Sequence, residues 1–108
     1  MKIYNPNQAI IPKRKITEYL LSNTHPVGKS KAKYFEQYGF SAESWEIMAD
    51  ALSVFVNENE ISSIQNTNFG ERYVIDGNLQ SPDERNPLIR TIWVLENNVP
   101  IFITAFPL

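Results

Sequence analysis

The hydrophobic period of this chain changes once, and that change constrains the fold more than any other feature. From Trp45 to Val56 the apolar positions Trp45, Met48, Ala49, Leu52, Phe55 and Val56 recur every three to four residues, the repeat of a helix with one buried face. After Asn59 the pattern becomes that of strands. Ile61–Gln65, Glu71–Ile75, Leu88–Leu95 and Val99–Phe106 are short and separated by turn residues, and the last two are dense in β-branched and aromatic side chains.

Two further helices are expected before Trp45. Residues 13–22 carry Ile16, Tyr19 and Leu20 as one apolar stripe, and Asn23 to Gly28 breaks the pattern with Pro26 and Gly28. Lys29 to Tyr38 places Ala32 and Phe35 on one face, with Gly39 suited to the residue just past the helix end. Ser41 and Glu43 suit the start of a third helix over 42–57. Residues 1–12, bracketed by Pro6 and Pro12, read as an extended strap in which Ile10-Ile11 can dock. The fold expected is α+β, with three N-terminal helices packed on a four-stranded antiparallel β-sheet. Residues 1–108 suit a single domain. The last two strands are apolar on both faces, so the face away from the helices needs residues 1–12 or a partner chain as cover. Trp45, Met48, Leu52, Phe55, Ile92 and Ile103 are expected in the core.

Composition narrows the function. The chain has no Cys and one His, which removes disulfide scaffolds, thiolate metal sites, cysteine nucleophiles and any multi-histidine metal centre. No metal and no cofactor is expected. No apolar run approaches the ~20 residues of a membrane span, and the start of the chain lacks an apolar signal core, so a cytoplasmic protein is expected. The net charge of −2 hides a division. Residues 1–33 hold seven bases and one acid; residues 34–108 hold three bases and eleven acids. A basic third on an acidic body suits a local anionic ligand, or solvated lysines on helix faces.

Four groups of residues could carry chemistry. His25-Pro26-Val27-Gly28 sets the only histidine in a constrained loop before a helix, with Lys29 and Lys31 nearby to help hold an anion; the alternative is a histidine that caps the helix or packs on Phe35. Arg90 lies inside an apolar strand, so its charge needs either a phosphate or a salt bridge to Glu71, Asp76 or Glu96. Arg72 could share that face. Thr91 and Thr104 add hydroxyls in the same two strands, where threonine also simply suits β geometry.

The run His25-Pro26-Val27-Gly28 with Lys31-Ala32, Phe35, Gly39-Phe40 and Trp45, followed by Tyr73, Gly77, Pro82, Arg90-Thr91-Ile92-Trp93 and Thr104-Ala105-Phe106-Pro107, resembles a small bacterial domain family of unknown function. The resemblance covers most of residues 13–107. It implies a toxin-type context, since such domains occur alone and at the ends of larger bacterial toxins. More distantly, the element order resembles the barnase, EndoU, colicin and RelE group of metal-independent ribonucleases. That similarity implies an endoribonuclease acting through attack of the ribose 2′-OH on the adjacent phosphate, leaving a cyclic phosphate and a 5′-OH. It points to His25 as general base or acid, Lys31 and Arg90 as charge stabilisers and Thr104 as a phosphate-positioning hydroxyl. Lys29, Arg72 and Thr91 would bind substrate. RNA and a neutralising protein, an antitoxin or immunity protein, would be the partners. The acidic body supports a second expectation, a non-catalytic interaction module: an antitoxin, immunity or assembly partner.

Overall fold

The computed structural model describes residues 1–108. A single 3-10 turn at Pro6–Gln8 precedes three helical segments. Helix α1 (Lys13–Lys15) runs on as a π-helical turn, Ile16–Leu20; α2 spans Gly28–Glu36 and α3 spans Trp45–Glu58. Strands β1 (Ser63–Thr67), β2 (Gly70–Asn78), β3 (Leu88–Glu96) and β4 (Val99–Pro107) follow. They pair antiparallel in the order β1-β2-β3-β4. The α+β architecture expected from the change of period is the one observed.

The boundaries move for local reasons. Helix α3 starts at Trp45, because Ser41 accepts the Ser44 N–H in a turn before the helix proper. Strand β2 continues past Ile75 because Asp76, Gly77 and Asn78 pair with Arg90, Ile89 and Leu88. Gly77 leaves room there for the Asn59 side chain, which a Cβ would displace. Asn97 and Asn98 both take positive φ in the β3–β4 turn, the geometry such tight hairpins favour.

The helices bury one face of the sheet. Ile75, Ile89, Trp93, Phe102 and Ala105 meet Ile16, Leu20, Phe35, Leu52 and Phe55 in one core. Three residues expected inside are only half-buried: Trp45, Ile92 and Ile103. Trp45 opens α3 at the surface, with Lys13 over its ring at 5.2 Å. Ile92 points to the opposite side of the sheet from Trp93. The Ile92/Trp93 register shift sets Thr104 against Ile92 and Phe102 against Trp93, leaving Ile103 between them as a bulge. The strap does not cover the second face. Ile3 enters the core, and Ile10 bonds the outer edge of β4, donating to the Pro100 carbonyl at 2.8 Å and accepting the Phe102 N–H at 2.9 Å. The β4 edge is thereby covered at Pro100 to Phe102, while the face carrying Arg72, Arg90, Ile92 and Val94 stays partly open.

Candidate functional site

The edge of β4 gathers the polar groups of the N-terminal third. Buried Ile16 and Leu20 anchor the π-helical turn and leave Tyr19 directed at β4. Such turns widen the backbone locally and recur at functional sites. Buried Ala32 and Phe35 anchor α2 and place Lys31 beside it. The bulge in β4 turns Thr104 to the same point. Lys31 Nζ donates to Tyr19 Oη at 2.6 Å and to Thr104 Oγ1 at 2.9 Å, and the two hydroxyls lie 3.1 Å apart. The ammonium also sits 4.9 Å from the centroid of the Tyr19 ring and 5.5 Å from that of Phe106.

Lys31 has no carboxylate partner. The ion pairs of the molecule are Met1–Glu60, Arg85–Asp83 and Arg90–Asp76. A half-buried ammonium among hydroxyls and aromatic faces is only partly compensated. Tyr19 responds to the same charge. Burial pushes its phenol up, but the Lys31 hydrogen bond, the Thr104 hydrogen bond and the charges of Lys31 and Lys15 more than offset this and hold it below the ordinary value of 10.0.

His25 stands next to Tyr19, the two rings 4.9 Å apart and edge to face. Its Nδ1 accepts the Val27 and Gly28 N–H groups, both at 3.0 Å. These bonds assign the proton of the neutral ring to Nε2. His25 is thus both the helix cap and the aromatic neighbour that its loop position allowed, although its neighbour is Tyr19 rather than Phe35. Gly28 is needed for this geometry, since a Cβ there would overlap the Tyr19 carbonyl. Arg14, Lys15, Glu18, Tyr19 and His25 line an open depression of about 250 Å³.

The remaining candidates separate. Arg90 makes a two-pronged pair with Asp76, Nε to Oδ1 at 2.8 Å and Nη2 to Oδ2 at 2.9 Å. It lies opposite Phe106 in the sheet, and no cavity is lined by both Arg90 and His25. Lys29 is exposed at the start of α2. Arg72 shares the open face with Arg90 but lines a different depression, with Glu71, Val94, Glu96 and Ile103. Thr91 is not available to a substrate. It faces the helices at 0% exposure, donates to the Ile75 carbonyl at 2.9 Å and accepts the Trp93 indole N–H at 2.7 Å. Alternation put it on the buried side of β3, one residue from Arg90.

Tyr19, Lys15 and Phe106 join the site without having been singled out in the sequence. Tyr19 was hidden in the apolar stripe with Ile16 and Leu20. Its available signal was Lys15 four positions earlier, one turn away on the same helix face. No group of three or more His, Asp and Glu side chains comes together in a metal-holding arrangement. No helix is long and apolar enough to cross a membrane.

A family model described as a domain of unknown function, DUF6883, matches residues 2–108. The chain belongs to this family. The match bears out the resemblance carried by the His25 to Pro107 pattern and extends it to nearly the whole chain. No curated protein matches the sequence. Among solved structures, the chain is similar to one from the contact-dependent growth inhibition toxin–immunity protein complex of Klebsiella pneumoniae 342. The TM-score is 0.71 at 13% identity, over 94% of this chain and 95% of that one. At this identity the likeness is one of fold.

Proposed function

We propose that this DUF6883 chain is a toxin-type endoribonuclease that needs no metal ion, with Tyr19, Lys31 and Thr104 at its reacting centre. One observation carries the proposal: a half-buried ammonium with no carboxylate partner, bonded to two hydroxyls of which one is a phenol held below its ordinary range. That is an anion site with a base built into it. The fold similarity to a chain of a toxin–immunity complex supports the toxin context.

The chemistry balances with these groups. The phenolate form of Tyr19, which the Lys31 charge favours, takes the proton of the ribose 2′-OH as the 2′-oxygen bonds to phosphorus. Lys31 stabilises the phosphorane and gives a proton to the departing 5′-oxygen as the P–O5′ bond breaks. The Tyr19–Lys31 hydrogen bond then returns the proton to the amine. Thr104 orients a phosphate oxygen, and Nε2–H of His25 is free to donate to another. The base thus falls to Tyr19, because Nδ1 of His25 is occupied by the helix cap. Arg14, Lys15 and Lys29 hold flanking phosphates, while Arg90 stays committed to Asp76.

The test is cleavage of labelled single-stranded RNA by the purified chain in EDTA. Products with cyclic phosphate and 5′-OH ends are expected, and binding should weaken steeply with salt because each phosphate contact releases counterions. Lys15→Ala should flatten the salt dependence by roughly one contact. Loss of wild-type cleavage in EDTA would instead assign the reaction to a bound cation.

A second reading is a non-catalytic interaction module, such as an immunity protein. It is favoured by the partly open apolar sheet face around Ile92, Val94 and Ile103, and by the structural neighbour coming from a complex of two proteins. An intact RNA pool and unimpaired growth on expression would decide for it.

A further inference from the structure

The solvent face of α3 carries two large apolar side chains, Ile47 and Val54, among its acids. Ile47 is 48% exposed and Val54 38% exposed. With Asp50 and Ala51 they fall at i, i+3, i+4 and i+7, a straight stripe over two turns. Gln80, Ser81 and Pro82 form the other wall, and the groove between holds about 310 Å³. It shares no residue with the Lys31 site.

The charge around this groove has one sign. Helix α3 carries Glu46, Asp50 and Glu58 and no base. The wall continues into Asp83 and Glu84; Asp83 and Arg85 neutralise each other, with Arg85 also on the face of Tyr38, so Glu84 supplies the charge of this wall. The two lysines that touch α3 are engaged elsewhere: Lys2 donates to the Asn57 carbonyl and Lys13 lies over Trp45. Ala51, 7% exposed, forms the floor of the groove, and Pro82 part of its far wall.

We propose that this groove docks a basic amphipathic helix of a partner protein. Apolar side chains of that helix would seat on Ile47, Ala51 and Val54, and its Lys or Arg side chains would reach Asp50 and the acids at the rim. Recognition by i, i+3, i+4, i+7 anchors is the general mode by which a groove takes a helix. Complementary charge sets the choice between a basic and an acidic helix. A basic partner here leaves the Lys31 site free for its own ligand.

The probe is a fluorescein-labelled synthetic Leu/Lys amphipathic peptide of about 18 residues, ~27 Å long as a helix, titrated with the full chain and followed by anisotropy. A Leu/Glu peptide of the same pattern is the comparison. Saturable 1:1 binding of the Leu/Lys peptide that weakens with salt is expected, with none for its acidic twin. Val54→Lys and Asp50→Lys should each weaken it by ~10-fold or more, the loss of one central anchor. Phe69→Lys, at an 88% exposed hairpin tip, should leave it unchanged. Circular dichroism of each variant checks the fold; Asp50→Lys alters only an exposed carboxylate and serves if Val54→Lys does not fold. No binding, equal binding of both peptides, insensitivity to Asp50→Lys, or equal weakening by Phe69→Lys would overturn the assignment. None of these readouts depends on RNA cleavage.

Discussion

Tyr19→Phe should lower RNA cleavage by ~10²–10⁴-fold, the range that positioned proton transfer contributes, while leaving the fold intact. The substitution removes one oxygen. The ring remains against His25 and beneath Lys31, so packing is kept. Lys31 and Thr104 lose a shared hydrogen-bond partner but keep one another at 2.9 Å. The pH profile separates a reacting phenol from a merely structural one. Because the Tyr19 phenol is held below 10.0, a larger fraction is ionised at a given alkaline pH than for a free tyrosine. Wild-type cleavage should therefore rise with pH on a limb whose midpoint lies below 10.0. Any residual activity of Tyr19→Phe should lack that limb. Lys31→Ala should fail at least as badly, since it removes the charge that both lowers the Tyr19 phenol pKa and meets the phosphate. Equal cleavage by wild type and Tyr19→Phe, with equal melting temperatures, would take Tyr19 out of the mechanism.

Trp93→Ala is the substitution expected to cost most stability. Trp93 is fully buried and packs edge to face on Phe102 at 5.4 Å. Its indole N–H donates to Thr91, whose hydroxyl donates in turn to the Ile75 carbonyl. The change opens a large cavity and leaves Thr91 without its donor, which together should cost ~3–5 kcal/mol. Against a total of about 5–15 kcal/mol for an ordinary domain, this consumes a large share, and the urea midpoint should fall accordingly. Thr91→Val should cost about 1–3 kcal/mol by stranding the indole N–H and should leave substrate affinity alone. An affinity loss without a stability loss would return Thr91 to the ligand site. Trp45→Ala should cost less than Trp93→Ala, because Trp45 is only half-buried.

The sequence by itself determined the class of fold, because the relevant signals are local. A 3.6-residue stripe from Trp45 to Val56 has one helical solution, and apolar runs bounded by Asn-Asn or Asn-Phe-Gly have a strand-and-turn solution. Absence of Cys and a single His likewise closed off whole classes of chemistry without any coordinates. Arg90 could also be read as a charge in need of a partner, since a guanidinium in an apolar strand cannot stand alone. Which partner it takes was left to tertiary structure: the register of β2 against β3 sets Asp76 opposite it.

The site needed tertiary structure throughout. Lys31 meets Thr104 across 73 positions and Tyr19 meets Thr104 across 85, separations at which neither helical nor strand periodicity carries information. Thr91 and Thr104 look equivalent in sequence, yet the first is fully buried and the second half-buried. Simple alternation puts the first under the helices, while one extra residue at Ile103 turns the second toward Tyr19 and Lys31. Tyr19 shows the same limit from the other direction. An amphipathic stripe says that a tyrosine faces something, but its hydroxyl becomes chemistry only when two other elements deliver a cation and a second hydroxyl to it.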